Sequence, residues 1–239
     1  MKSPKLCSKV AASTFYEQFK WSLWFFSILL IIHLGRLYFL NEETAPVVGF
    51  FVFSSYSVNI FMLICGIMLV YAFMGQHVQQ GISRRDWYKG TAMAGVGFAL
   101  FVTLVPLIVH GIQYMLAPFI SWPIELESAI AFTSATGWLA AIVAFFFNAL
   151  TYYLIGWLIG IGYYRFGWIL GFGFIGLASI AFTINDYFWT DNGISSAIPW
   201  VLQITGNAGF AIAFIGSVIL VTVLFAAMHL LTRRVPIKM

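Results

Sequence analysis

The residues best placed to do chemistry lie in one polar stretch, Gln76 to Gly90, QHVQQGISRRDWYKG. It carries Arg84, Arg85 and Lys89 against a single acid, Asp86, together with the interfacial aromatics Trp87 and Tyr88. Ser83 can cap a short helix through its hydroxyl, with Asp86 in the third position of a capping box. Such a helix would present Arg84, Arg85, Trp87, Tyr88 and Lys89. Two kinds of binding suit this composition: docking of a partner protein, or a seat on anionic lipid headgroups. A connection that merely joins two spans needs about 4–6 residues, and this stretch is much longer.

Catalytic patterns are missing elsewhere. No GxxxxGK[ST] phosphate loop and no HExxH occur, and no serine has a histidine and an aspartate in triad-like order. His33 and His110 fall near the outer ends of two spans but lack a third ligand, so packing explains them better than a metal site. Cys7 and Cys65 have no metal or disulfide spacing and read as free thiols. The polar residues in mid-span are neutral: Asn59, Asn148, Thr151 and Tyr152. Helix–helix hydrogen bonding is their ordinary role; a polar translocation lining of Asn59, Asn148 and Thr151 is the alternative. No carboxylate falls inside a span, which argues against a proton or sodium antiporter. The chain is therefore expected to have no catalytic residues, metal or cofactor of its own, and its basic residues at span ends are no nucleic-acid signal.

The elements that position these residues follow from composition. Of 239 residues, 62% are hydrophobic and 8% charged, against ~25% charged in a soluble domain. Recurrent long apolar runs predict one all-α integral membrane domain over 1–239. Six spans are expected, at about 21–40, 47–74, 91–116, 131–161, 167–184 and 208–231. The mixed, basic first residues do not resemble a cleavable signal. Thr14 and Glu17 have capping-box spacing, which predicts a helix start near Phe15 and a short amphipathic helix on the inner leaflet; a leader running straight into span 1 is the alternative. Pro106 should kink span 3. Span 4, at ~46 Å, must be tilted, broken or protruding. Gly156 with Gly160, and Gly167 with Gly171, have the four-residue spacing of close helix packing, followed by Gly173 and Gly176. Short polar segments around Asn41 to Pro46, Pro118 to Glu127 and 185–207 are expected outside.

With both termini cytoplasmic, Lys2, Lys5, Lys9, Lys20, Arg84, Arg85, Lys89, Arg165, Arg233, Arg234 and Lys238 all fall inside, and of the 12 basic residues Arg36 alone falls outside. Glu42, Glu43, Glu125, Glu127, Asp186 and Asp191 fall outside. This is the positive-inside bias, and it fixes the expected orientation.

GISRRDWYKG, placed between spans 2 and 3, resembles the G-[IV]-S-R-x-x-[FWY] loop of permease subunits in the type-2 ABC transporter (ABC-2) superfamily. TFYEQFKWS and LLTRRVPIKM are similar to the ends of such chains. The nearest likeness is to short six-span permeases of Gram-positive bacteria that export drugs or antimicrobial peptides or confer self-immunity. The resemblance implies a coupling helix that docks a separate ATPase through Gly81, Ser83, Arg84, Arg85, Asp86 and Tyr88, and an amphipathic elbow helix around Thr14 to Lys20. It also implies a second permease chain, ATP and Mg held by the partner ATPase, and residence in the cytoplasmic membrane. Rival readings are a non-pumping immunity or sensor protein that binds a peptide, and a secondary transporter; a lipid-modifying enzyme ranks last.

Overall fold

An apolar chain in hydrocarbon must satisfy its own backbone, and the helix does so within one segment. The computed structural model describes residues 4–39, 47–117, 119, 124–125, 135–189 and 209–233. Helix α1 spans Pro4–Phe39 and α2 Phe50–Met68; α2 continues through a π-helical segment, Leu69–Met74, into α3, Gly75–Gln79. Helices α4 (Arg84–Leu116), α5 (Ala135–Trp189) and α6 (Phe210–Thr232) follow. A two-residue parallel ladder, β1 (Val47–Val48) with β2 (Ile124–Glu125), ties the approach to α2 to the segment beyond α4. Five helical stretches are long and apolar enough to cross a membrane. The chain is a multi-pass helical membrane protein, and apolar side chains such as Trp168, Ile169 and Leu170 stand exposed to the bilayer.

Helix α5 doubles back on itself. In one straight helix Tyr152 and Phe182 would stand ~45 Å apart, yet their ring centroids are 4.7 Å apart. Further along the same seam, Asn185 Nδ2 donates to Asn148 Oδ1. The reversal is made at Gly167, with φ 79° and ψ −174°. A Cβ there would meet nothing within 4 Å, so the requirement for glycine is conformational and not steric. The two arms, 135–166 and 168–189, pack antiparallel, with Gly162 under the Phe174 ring and Gly171 under Tyr163. Residues 162–166, expected as a short loop, are helical, and the turn is confined to Gly167. Gly173 and Gly176 face open space, so the glycine-rich run is not one packing face.

The other seams set the order of the bundle. Gly156 and Gly160 in the first arm lie on the α2 backbone at Leu63 and Ile67, while Gly66 of α2 lies on the backbone at Tyr153 and Trp157. Helices α1 and α4 run side by side in the same direction: Val10 sits on Gly90, Phe15 meets Phe98 edge-on, and Gln113 Nε2 is 2.7 Å from His33 Nε2. Helix α6 returns along the second arm, where Trp189 Nε1 donates to Ser217 Oγ at 2.8 Å.

Two expectations about the ends are corrected. Helix α1 is unbroken from Pro4, and Thr14 is fully buried within it. No separate amphipathic elbow exists over 14–20, because Phe15 and Phe19 pack on Phe98 and Phe101 of α4. The 76–90 stretch is not a loop carrying its own short helix: α4 begins at Arg84 and continues to Leu116, with Pro106 buried inside it. The readings for Asn41 to Pro46, Trp122, Glu127, Asp191, Trp200, Arg234 and Lys238 lie outside the described residues.

Candidate functional site at the basic end of the bundle

Between α3 and α4 only Gln80, Gly81, Ile82 and Ser83 leave the helical path. Gly81 takes φ 80°. Its N–H donates to the Val78 carbonyl at 2.9 Å and that of Ile82 to the His77 carbonyl at 3.1 Å. This is a Schellman closure, which needs the left-handed residue that glycine supplies. Two residues later Ser83 starts α4. Its Oγ accepts from the Asp86 N–H at 3.2 Å and donates to Asp86 Oδ2 at 2.5 Å. Gly81, Ser83 and Asp86 thus shape the turn, and Asp86 is occupied in doing so.

The turn meets both ends of the described chain. Ser13 Oγ of α1 lies 3.1 Å from His77 Nε2, and the Tyr88 ring lies 5.0 Å from that of His229 in the last turns of α6. Arg165, beside the α5 reversal, donates to the Leu231 carbonyl at 3.2 Å, where a cation favours the carbonyl end of a helix. Lys9, Arg84, Arg85, Lys89, Arg165 and Arg233 therefore belong to one end of the bundle. Arg36, lying over Phe53, is at the other.

Within this end the candidate residues divide. Arg85 and Lys89 are exposed and Arg84 is partly so. None of the three has an ion pair; among the described residues the one ion pair is Lys20 with Glu17. The aromatics face inward instead. Trp87 is fully buried, edge-on to Trp157 at 5.8 Å. The Tyr88 hydroxyl donates to the Phe225 carbonyl at 2.8 Å. Tyr88, half-buried, thus bridges α4 to α6. Helical geometry is the reason: at ~3.6 residues per turn, the face that puts 87, 88 and 91 against α5 and α6 leaves 85 and 89 outside.

Beside the Tyr88 contact α4 and α6 border a groove. The groove there is shallow and widely open, about 490 Å³, lined by Tyr88, Ala92, Met93 and Val96 of α4 and Phe225 of α6.

The polar trio proposed for a pathway does not converge on this groove. Asn59, Asn148 and Thr151 are all buried. Asn148 donates to the Ala144 carbonyl at 2.9 Å and accepts from Asn185. Asn59 is hydrogen-bonded to neither Asn148 nor Thr151 among the described residues. Sequence reasoning missed Asn185, whose Oδ1 is buried and unpartnered. It also missed Gln113, which binds His33 and accepts from the Phe50 N–H at 2.9 Å, and Gln18, which donates to the Tyr153 hydroxyl at 3.1 Å. One signal for Asn185 was available. Asn148 and Asn185 stand nineteen residues before and eighteen after Gly167, the register of an antiparallel hairpin.

No protein-family model matches the chain, and no curated protein or solved structure matches it significantly.

Proposed function

We propose that this chain is the permease subunit of an ATP-driven exporter, with six membrane passes, both termini in the cytoplasm, and a separate ATPase docked at the basic end. The observation that carries this reading is the set of cations, Arg84, Arg85 and Lys89, without an ion pair among the described residues, at a capped helix start on the end where the described termini meet. Free guanidinium groups at the tip of a fixed helix suit an acidic protein groove, which they can engage by bidentate hydrogen bonds. Counting the two arms of α5 separately makes six passes and brings the basic residues to one side, in keeping with the positive-inside rule.

Coupling in this reading runs through α4 itself. The helix has 33 residues, or ~50 Å, against a hydrocarbon core of ~30 Å. An ATPase moving the first turn of α4 would move a continuous rod, and α1 would travel with it through the contact of Val10 on Gly90. A second permease chain would complete the pathway, in the cytoplasmic membrane, for a hydrophobic or amphipathic substrate such as a peptide, toxin or drug. The amides of Asn148 and Asn185 are neutral, and the one carboxylate beside them, Asp186 near the end of α5, is hydrogen-bonded to Asn185; in this reading ATP on the partner is the energy source.

The test is affinity purification of the tagged chain in gentle detergent with an ATP analogue, comparing the native protein with Arg84→Glu/Arg85→Glu. The expected result is a nucleotide-binding subunit that accompanies the native chain and is lost from the variant, while membrane insertion is retained. Equal recovery with both chains removes the docking surface. Absence of any ATPase moves the peptide-binding immunity reading to the front.

A further inference from the structure

The groove between α4 and α6 is apolar along its length and cationic at its mouth. Arg85, Lys89, Ala92 and Val96 are spaced three or four apart and so form one stripe of α4. Ala92 and Val96 line the groove with Met93 and Phe225. Lys89 and Arg85 stand exposed one and two turns before it, toward the basic end. Neither cation has an ion pair among the described residues, and the neighbouring Asp86 is held by Ser83. The Tyr88 hydroxyl on the Phe225 carbonyl joins the two helices beside the groove, which is otherwise open to the side.

We propose that this groove binds one anionic phospholipid, its acyl chain along Ala92, Met93, Val96 and Phe225 and its phosphate on Lys89 and Arg85. The groove, about 490 Å³, is shallow and open, a shape along which an acyl chain can lie. Basic pockets between membrane helices at the cytoplasmic surface are suited to lipid headgroups. The wall chemistry selects lipid over peptide. The side chains of Ala92, Met93, Val96 and Phe225 offer no hydrogen-bond donor, so an extended peptide backbone buried there would be left unsatisfied, whereas hydrocarbon asks for none. Charge complementarity at the mouth selects an anionic headgroup over a zwitterionic one. The site shares Arg85 and Lys89 with the proposed docking surface, but the groove residues lie outside that surface, so Ala92→Phe tests the lipid site apart from ATPase docking.

Native mass spectrometry of the purified full-length chain, titrated in parallel with palmitoyl-oleoyl phosphatidylglycerol and the matching phosphatidylcholine, tests it. The anionic lipid should be retained at about five-fold higher occupancy, the scale of one or two interfacial cations. Lys89→Gln should bring the two lipids close to equality. Ala92→Phe, which fills the groove, should lower retention of both, and glycerol 3-phosphate alone should displace neither. Equal retention of the two lipids by the native chain overturns the proposal, as does phosphatidylglycerol retention unchanged in both variants. Displacement by glycerol 3-phosphate would mean a headgroup site without the groove, and overturns it too. Lys89→Gln alters an exposed side chain and should not disturb the fold, so the comparison survives if Ala92→Phe does not fold. Retained ATPase co-purification in Lys89→Gln would separate the lipid site from the docking surface.

Discussion

Two seams of the same bundle are built in opposite ways. Where α2 crosses the first arm of α5, Gly66, Gly156 and Gly160 bring backbone against backbone. Where α4 faces α6, the larger side chains Tyr88, Met93, Val96 and Phe225 border an open groove. In lipid the hydrophobic effect gives no drive to close such a gap, since hydrocarbon can fill it as well as protein can. Close approach comes from small residues and van der Waals contact, and a seam without them remains accessible from the side. The tight seam therefore fixes the scaffold, while the loose one, joined through Tyr88 to Phe225 and His229, is where a ligand or a movement can be accommodated.

The sharpest way to break this contrast is to give the tight seam a side chain. Gly156→Leu would drive its Cβ into the Leu63 carbonyl region. Backbone cannot yield as a flexible side chain does, so a loss of about 3 kcal/mol or more is expected, read as a collapsed thermal midpoint by size-exclusion chromatography in detergent. A mild effect would show that the seam has room, and the contrast would lapse.

The hairpin offers an intermediate test. Asn148→Ala, Asn185→Ala and the double variant form a cycle across the two arms of α5, in which the coupling should be ~0.6–1.7 kcal/mol, measured by unfolding in mixed micelles. Additive effects would mean that the arms are held by packing alone.

The smallest effect belongs to the loose seam. Tyr88→Phe removes one hydrogen bond to the Phe225 carbonyl and keeps the ring, at a cost of ~0.5–1.5 kcal/mol. Its signature should be local: faster hydrogen exchange in the last turns of α6 with little change at α2 or α5. Protection lost evenly across the bundle would place Tyr88 in the scaffold.

Much of this architecture is legible in the chain. The long apolar helices, the cap made by Ser83 and Asp86, the packing role of Gly156 and Gly160, and the gathering of Arg84, Arg85 and Arg165 at one end all follow from local composition and spacing. The 76–90 stretch was legible in its polarity but not in its form. Its charges and glycines read as loop, whereas two helix ends meet there with four residues between them. Thr14 shows the same limit, since a capping-box spacing carries no weight where Val10 and Phe15 already commit the preceding turns to packing on α4.

By itself the sequence determined that this is a helical membrane protein with its cations gathered at span ends. Hydropathy and charge act on each segment separately, and a helix in lipid satisfies its own backbone without help. The tertiary structure decided which face of each helix is covered. It turned Trp87 and Tyr88 inward, paired Asn148 with Asn185 across Gly167, and left Arg85 and Lys89 outside beside an open groove. Those outcomes depend on the shapes of neighbouring helices, above all on where glycines let two backbones touch and where bulkier side chains keep them apart.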